Sequence, residues 1–262
     1  MKYKVNAIAQ YRSFLLGFFF LIIVGMGFMI GDKQFFAGED DELSKTIFVL
    51  QSGHESSLLT SVDTGGEKLV ALTFDDGPDP RYTPDVIDLL KRYDVKATFF
   101  VVGQNAEQYP FLVQRQVEEG HEVENHTYTH PDLRLKTAVE TSEEIARTEE
   151  CIRKLTSRTP VYFRPPRRLY SDETVIQAEK AGYRIILWSI CVENQRSKTA
   201  EQMARRVIKA VRPGMIILAH DGRLDRSQTV EALPMIIESC QQKGYQFVTL
   251  EELLAAELPD KD

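Results

Sequence analysis

Cysteine is scarce in this chain, and its spacing excludes two classes of protein. Only three of the 262 residues are cysteines, and none belongs to a CxxC pair. Disulfide-stapled domains and structural zinc sites need more numerous or closely spaced cysteines. Internal repeats and low-complexity segments are also lacking. With 43% hydrophobic residues, the chain has enough apolar material for one large globular domain.

Clustered positive charge is lacking as well. The formal net charge is −7, and the basic residues are scattered along the chain. A nucleic-acid surface needs Lys and Arg gathered on one face. We therefore expect no nucleic-acid partner, and no motif indicates a protein partner.

One long apolar segment lies near the N-terminus. Residues 13–31 are 19 residues without a charge, enough to cross most of a hydrocarbon core of about 30 Å as a helix. Lys2, Lys4 and Arg12 precede the segment and Asp32 follows it. The positive-inside rule then predicts a single-pass membrane anchor with residues 1–12 in the cytoplasm and the remaining chain outside. A cleaved signal peptide is the competing interpretation.

The remaining chain divides by composition. Residues 32–66 are acidic and rich in Ser, Gly and Thr, which predicts an extracytoplasmic linker. From residue 67 to 262, short apolar runs alternate with helical patterns, which predicts parallel strands joined by helices. We expect a distorted (β/α) barrel of about seven strands, in the segments LVALTF, ATFFVV, EVEN, VYFR, RIILWSI, MIILA and QFVTL.

Acidic and imidazole side chains follow these strands. Asp75 and Asp76 end the first apolar run, and burying two neighbouring carboxylates is costly unless a cation or a hydrogen bond compensates. His126 and His130 stand four residues apart, a spacing that places two imidazoles on one face of a helical turn. One carboxylate with two histidines predicts a catalytic metal site, and the second carboxylate is then free to act as a base.

The motifs TFDDGPD, NHTYTHPDL, FRPP and LAHDG, in this order, resemble those of the polysaccharide deacetylases, the NodB-homology domains of carbohydrate esterase family 4. The resemblance covers roughly residues 67–254 and implies a distorted (β/α) barrel. It also implies that Asp76, His126 and His130 bind one divalent metal ion, with zinc preferred. Asp75 would be the general base, held ionised and oriented by Arg164.

The resemblance implies roles for three further residues. His220, as its imidazolium, would protonate the leaving amine. The backbone N–H of Arg167 would stabilise the oxyanion, and Leu218 would line the pocket for the acetyl methyl group. These roles describe hydrolysis of an N-acetyl group.

Two segments depart from the family pattern. The family usually has Tyr and Gly after RPP, where this chain has Arg167 and Arg168. The family pattern DxxDW becomes CVENQ, so Asn194 stands where an aspartate would support the catalytic histidine. Glu193, the neighbour with a longer side chain, is the alternative source of that charge.

These observations predict a metal-dependent N-deacetylase of an extracytoplasmic polysaccharide, either peptidoglycan or a chitin-like N-acetylglucosamine polymer. Because of the CVENQ segment, a non-catalytic relative that binds metal and glycan is one alternative. An esterase of O-acetylated polysaccharide would use the same site and is the other alternative.

Overall fold

The computed structural model describes residues 58–258, which form an α/β fold with nine strands and eight α-helices. The strands are β1 (Leu58–Leu59), β2 (Leu69–Asp75), β3 (Thr98–Val101), β4 (Glu122–Asn125), β5 (Tyr162–Phe163), β6 (Arg184–Ile186), β7 (Ile190–Cys191), β8 (Ile216–His220) and β9 (Gln246–Val248). The α-helices are α1 (Thr83–Arg92), α2 (Gly103–Gln108), α3 (Pro110–Glu118), α4 (Ala138–Thr156), α5 (Asp172–Lys180), α6 (Ala200–Ala210), α7 (Ser227–Gln242) and α8 (Leu250–Ala255).

All ladders between these strands are parallel, as the alternation of strands and helices predicts. The order is β1-β6-β5-β4-β3-β2-β8-β7, and β9 pairs with β2. Each of the seven predicted segments contains a strand, but the number of strands is nine. The additional strands are β1, which lies inside the segment predicted as a linker, and β7.

Strand β7 is separate because the predicted strand RIILWSI changes partners halfway. Its first part, β6, pairs with β1 and β5, whereas β7 pairs with β8 at the other end of the sheet order. Between them, the Leu187 N–H donates to the Leu59 carbonyl at 2.7 Å and the Ser189 N–H donates to the Ile216 carbonyl at 2.9 Å. Because β6 and β7 are only three residues apart but lie near opposite ends of the strand order, the sheet must curl. Among the described strands β1 and β7 share no ladder, so the barrel is incompletely closed.

Strand β2 divides the core into an outer and an inner layer because its side chains alternate between the two faces. Leu72 and Phe74 pack outward among the helices, where Phe74 stacks on Phe99 with ring centroids 5.0 Å apart. Ala71 faces the inner layer, which includes Phe100 from β3. Asp75 falls on the same inner side as Ala71, so its carboxylate is directed into the barrel.

The anchor predicted at 13–31 and the segment 1–12, predicted to be cytoplasmic, lie outside the described residues. Between residues 58 and 258, no helix has both the length and the apolar character needed to cross a bilayer.

Candidate active site

The predicted site residues gather at the carboxyl ends of the strands. Asp75 ends β2 and His220 ends β8, while His126 and Arg164 directly follow β4 and β5. Active sites of (β/α) barrels lie at this edge. The sequence spacing of these residues is large, and the parallel sheet brings them together.

Asp76, His126 and His130 form a buried cluster of metal-ligating side chains. Asp76 Oδ1 lies 2.9 Å from His130 Nε2 and 3.7 Å from His126 Nε2. One ligand atom from each residue lies within 4.8 Å of the other two. One carboxylate with two imidazoles is a donor set that divalent zinc or cobalt accepts while retaining open positions.

The two histidines do not lie on a helical turn, which corrects the interpretation of their four-residue spacing. Thr127 and His130 have φ values of 68° and 59°, in the left-handed region. The Thr127 N–H donates to Asn125 Oδ1, and the next two N–H groups donate to Glu144 Oε2 on α4. Side-chain acceptors thus replace the carbonyls that a helix would supply.

The protonation of His126 suits a metal ligand. Its Nδ1 lies 2.7 Å from the Arg164 carbonyl. A carbonyl only accepts hydrogen bonds, so Nδ1 carries the proton and the Nε2 lone pair faces Asp76. Burial lowers the pKa of His126 to about 4, which keeps the imidazole neutral. Burial disfavours ionised Asp76, but the hydrogen bond with His130 and the nearby imidazoles hold the pKa of Asp76 below its usual range.

Asp75 is held by Arg164, a fully buried guanidinium inside the barrel. Arg164 Nη1 donates to Asp75 Oδ1 at 2.7 Å and to Thr73 Oγ1 at 2.8 Å. Its other nitrogens donate to the carbonyls of Ile186 and Leu187, each at 3.1 Å. The other carboxylate oxygen, Asp75 Oδ2, is directed toward the cluster of Asp76, His126 and His130 and lies 3.6 Å from His126 Nε2.

His220 is paired with Glu193 and not with Asn194. Glu193 Oε2 lies 3.0 Å from His220 Nδ1. Burial opposes the imidazolium, but the Glu193 carboxylate raises the pKa of His220 to about 9. Asn194 Oδ1 instead accepts from the N–H groups of Arg196 and Ser197 at 2.8 and 2.7 Å. Asn194, which the family pattern aligns with the supporting aspartate, therefore does not face His220, and Glu193, the alternative named from the sequence, lies beside it.

Arg226 joins the site although the sequence analysis did not select it. It is buried before α7, and its Nη2 donates to Asp76 Oδ2 at 3.1 Å. Its Nη1 lies 3.8 Å from Glu193 Oε1, and its Nε donates to the Gly222 carbonyl at 2.8 Å. Arg226 thereby fixes which oxygen of Asp76 faces the histidines. The only sequence signal is its position four residues after the LAHDG motif.

Two glycines allow the TFDDG and LAHDG motifs to pack against each other. A Cβ on Gly77 would lie 2.4 Å from the Asp221 carboxylate oxygens, and one on Gly222 would lie 2.3 Å from the Asp76 carbonyl. Asp221 is buried, and its Oδ2 accepts from the Thr83 hydroxyl at 2.6 Å. Burial raises the pKa of Asp221 to about 7.

The remaining predicted residues lie at or below the rim of the site. Arg167 is exposed with φ 55°, and between residues 58 and 258 its backbone N–H has no hydrogen-bond acceptor. Arg168, with φ 57°, donates to the Trp188 carbonyl at 3.0 Å, and its guanidinium lies 4.5 Å from that indole ring. Leu218 is buried in the inner layer of the core.

Comparisons with known proteins agree with this geometry. Residues 63–186 match the family model for polysaccharide deacetylase. A peptidoglycan-N-acetylglucosamine deacetylase from Bacillus cereus is 40% identical over 190 residues, which cover 72% of this chain and 89% of that protein. The chain belongs to the polysaccharide deacetylase family. Several homologues are named peptidoglycan deacetylases, and the chain is accordingly a hydrolase of the polysaccharide deacetylase type.

Three solved structures show the range within this family of deacetylases. The peptidoglycan N-acetylglucosamine deacetylase Bc1960 is 34% identical, with a TM-score of 0.73 over 78% of this chain and 95% of that chain. A family 4 acetyl xylan esterase from Clostridium thermocellum, solved with a cobalt ion, is 40% identical, with a TM-score of 0.67 over 72% and 91%. A pseudoenzyme of the same family from Bacillus anthracis is 28% identical, with a TM-score of 0.70 over 78% and 70%.

The pairing of His220 with Glu193 is testable by NMR titration of the imidazole. We expect the pKa of His220 to lie near 9 in the parent protein. Glu193→Gln should lower it by about one unit or more, because a neutral amide does not stabilise the imidazolium. Asn194→Asp is the matched control and should change it much less. If the pKa of His220 rises strongly in Asn194→Asp and does not fall in Glu193→Gln, residue 194 and not Glu193 controls the charge of His220.

Proposed function

We propose that the protein removes N-acetyl groups from an extracytoplasmic N-acetylglucosamine-containing polysaccharide, peptidoglycan or a chitin-like polymer, with one divalent metal ion, preferably zinc. The observation that carries the proposal is the position of Asp75 beside the cluster of Asp76, His126 and His130. A base, a metal-ligating set and a protonated histidine can together catalyse the hydrolysis of an amide.

In this proposal, Asp76, His126 and His130 hold the ion, which supplies Lewis-acid activation of the acetamide carbonyl and the attacking water. Asp75 accepts the proton that the water loses as the C–O bond forms. Arg164 neutralises one oxygen of Asp75 and leaves the other to take the proton.

His220 completes the reaction as the general acid. Its pKa of about 9 keeps it protonated at neutral pH, so it can donate a proton to the amine as the C–N bond breaks. The backbone N–H of Arg167 donates to the oxyanion, and Leu218 contacts the acetyl methyl group. The products are acetate and a free amino sugar, so one water is consumed for each acetyl group.

Acetate release by the full-length chain tests the activity and separates the alternatives. We expect release from N-acetylglucosamine oligomers and peptidoglycan, with little from O-acetylated xylan. Asp75→Asn should lower the rate by about 10²-fold or more, because it removes the general base.

Release from xylan alone would contradict N-deacetylation and favour the O-acetyl esterase. A metal-loaded protein that releases acetate from none of these substrates would favour the non-catalytic, glycan-binding alternative.

Metal content tests the assignment of the two neighbouring aspartates. Asp76→Ala, His126→Ala and His130→Ala should each lose the ion after dialysis, as measured by elemental analysis. Asp75→Asn should retain it, because Asp75 is oriented by Arg164 and is not needed as a ligand. A metal-free Asp75→Asn protein would reverse the two roles, and undiminished activity after exhaustive chelation would refute the metal requirement.

For localisation, we propose that residues 13–31 anchor the protein in the cell membrane with its catalytic domain outside. The proposal rests on the uncharged segment and on the basic residues that precede it. Protease added to intact wall-stripped cells should degrade the domain, while a cytoplasmic marker protein stays intact. Complete protection of the domain would contradict this topology.

A further inference from the structure

A second group of metal-ligating side chains lies beside the first. Cys191 ends β7, Glu193 follows two residues later, and His220 ends the neighbouring strand β8. Cys191 packs in the inner layer and Val192 in the outer layer, so the thiol of Cys191 and the carboxylate of Glu193 both lie on the side of His220. The Val192 N–H, which donates to the Leu218 carbonyl at 2.7 Å, fixes this segment to β8.

The three side chains converge closely enough for one ion. Glu193 Oε2 lies 3.0 Å from His220 Nδ1 and 3.4 Å from Cys191 Sγ. The three ligand atoms all lie within 4.8 Å of one another. Tetrahedral zinc, with bonds of about 2.0–2.3 Å, places its ligand atoms about 3.3–3.6 Å apart. The separation of 3.4 Å falls in this range and that of 3.0 Å is a few tenths of an ångström shorter, so side-chain rotations would bring the three ligand atoms onto one ion.

The Glu193 carboxylate is oriented for this role by its neighbours. Its Oε1 accepts from the Thr229 hydroxyl at 2.7 Å and from the His220 N–H at 3.2 Å. Arg226 Nη1 lies 3.8 Å from the same oxygen. Oε2 is therefore the oxygen that faces the thiol and the imidazole. Outer partners of this kind orient ligands in metal sites.

The donor set selects the class of cation. A thiolate with an imidazole and a carboxylate suits zinc or cobalt, whereas magnesium and calcium prefer oxygen ligands. The thiolate and the carboxylate together offset the charge of a divalent ion. The cluster of Asp76, His126 and His130 contains no sulfur, so the two sites differ in chemistry.

We propose that Cys191, Glu193 and His220 form a second, inhibitory zinc site. The inhibition rests on the proposed role of His220 as the general acid. Zinc binding would release one proton from the thiol and one from His220 Nδ1. The imidazole would then keep only its Nε2 proton, which is far less acidic than a proton of imidazolium. Glu193 would bind the ion and no longer support the charged histidine.

Cobalt substitution tests the site without measuring activity. Cobalt bound to a thiolate gives a sulfur-to-metal charge-transfer band in the near ultraviolet, whereas oxygen and nitrogen ligands do not. We expect this band when the chelator-stripped full-length chain is titrated with Co²⁺. It should persist in Asp76→Ala, where the first site is disabled, and disappear in Cys191→Ser and Cys191→Ala. Cys240→Ser, which changes a buried thiol on α7, is the matched control and should keep the band.

Rate measurements with zinc test the inhibition. Zinc in large excess over one equivalent should slow acetate release by the parent protein about tenfold or more. The ratio of rates with and without excess zinc should approach one in Cys191→Ser, provided circular dichroism shows a folded protein.

Different results contradict the second metal site, its inhibitory role and the deacetylase function. No band in the parent protein, or a band that survives both Cys191 substitutions, overturns the site. A cysteine-dependent band with no zinc inhibition overturns the inhibitory role. A protein that is inactive with one equivalent of zinc contradicts the deacetylase function, and the cobalt band still decides whether the second site exists.

Discussion

The ion pair between Arg164 and Asp75 is the constraint on which the rest of the site depends. A guanidinium enclosed in a barrel costs several kcal/mol to desolvate unless its charge and donors are matched. Here Asp75 supplies the charge, and Thr73 Oγ1 and two carbonyls accept the remaining hydrogen bonds. The guanidinium also lies 4.0 Å from the Phe100 ring. Because the backbone carbonyl of Arg164 accepts from His126, one residue orients Asp75, the proposed base, through its side chain and His126, a proposed metal ligand, through its main chain.

Much of this arrangement follows from local sequence patterns. An apolar strand that ends in two carboxylates, followed by histidines after another strand, predicts the chemistry because a parallel sheet brings its strand ends together. The course of the chain after those strands is less predictable. The loop from His126 to His130 has the spacing of a helical turn, but its N–H groups donate to Asn125 and Glu144. That outcome depends on α4 packing over the loop, which four residues of sequence do not encode. The division of RIILWSI into two strands has the same kind of cause, a change of partner across the barrel.

Position along the chain also fails to identify which side chain reaches a neighbour. Comparison with the DxxDW pattern selects Asn194, yet its side chain accepts from N–H groups in its own turn, which is a common role for asparagine. Glu193 projects toward β8 because it stands two residues after Cys191. Its side chain has one methylene more than the aspartate of the family pattern, which lets it reach His220. Arg226 is the reverse case, a residue that belongs to the site although no motif selects it. Apart from its position four residues after the LAHDG motif, nothing in its local sequence distinguishes Arg226 from an exposed arginine, and the packing of the loop before α7 against the end of β2 places it on Asp76.

The charges of the buried site balance in pairs. Asp75 is matched by Arg164, Asp76 by Arg226, and Glu193 by protonated His220. Asp221, with its pKa raised to about 7, is only partly ionised at neutral pH and adds less than one negative charge. A divalent cation beside Asp76 would therefore leave the pocket with a net positive potential. A neutral acetamide gains little from such a potential, whereas the oxyanion that forms during its hydrolysis gains much more. Balanced ion pairs thus orient the carboxylates and would not cancel the field of a bound divalent ion, whose potential would act mainly on the charge that develops in the transition state.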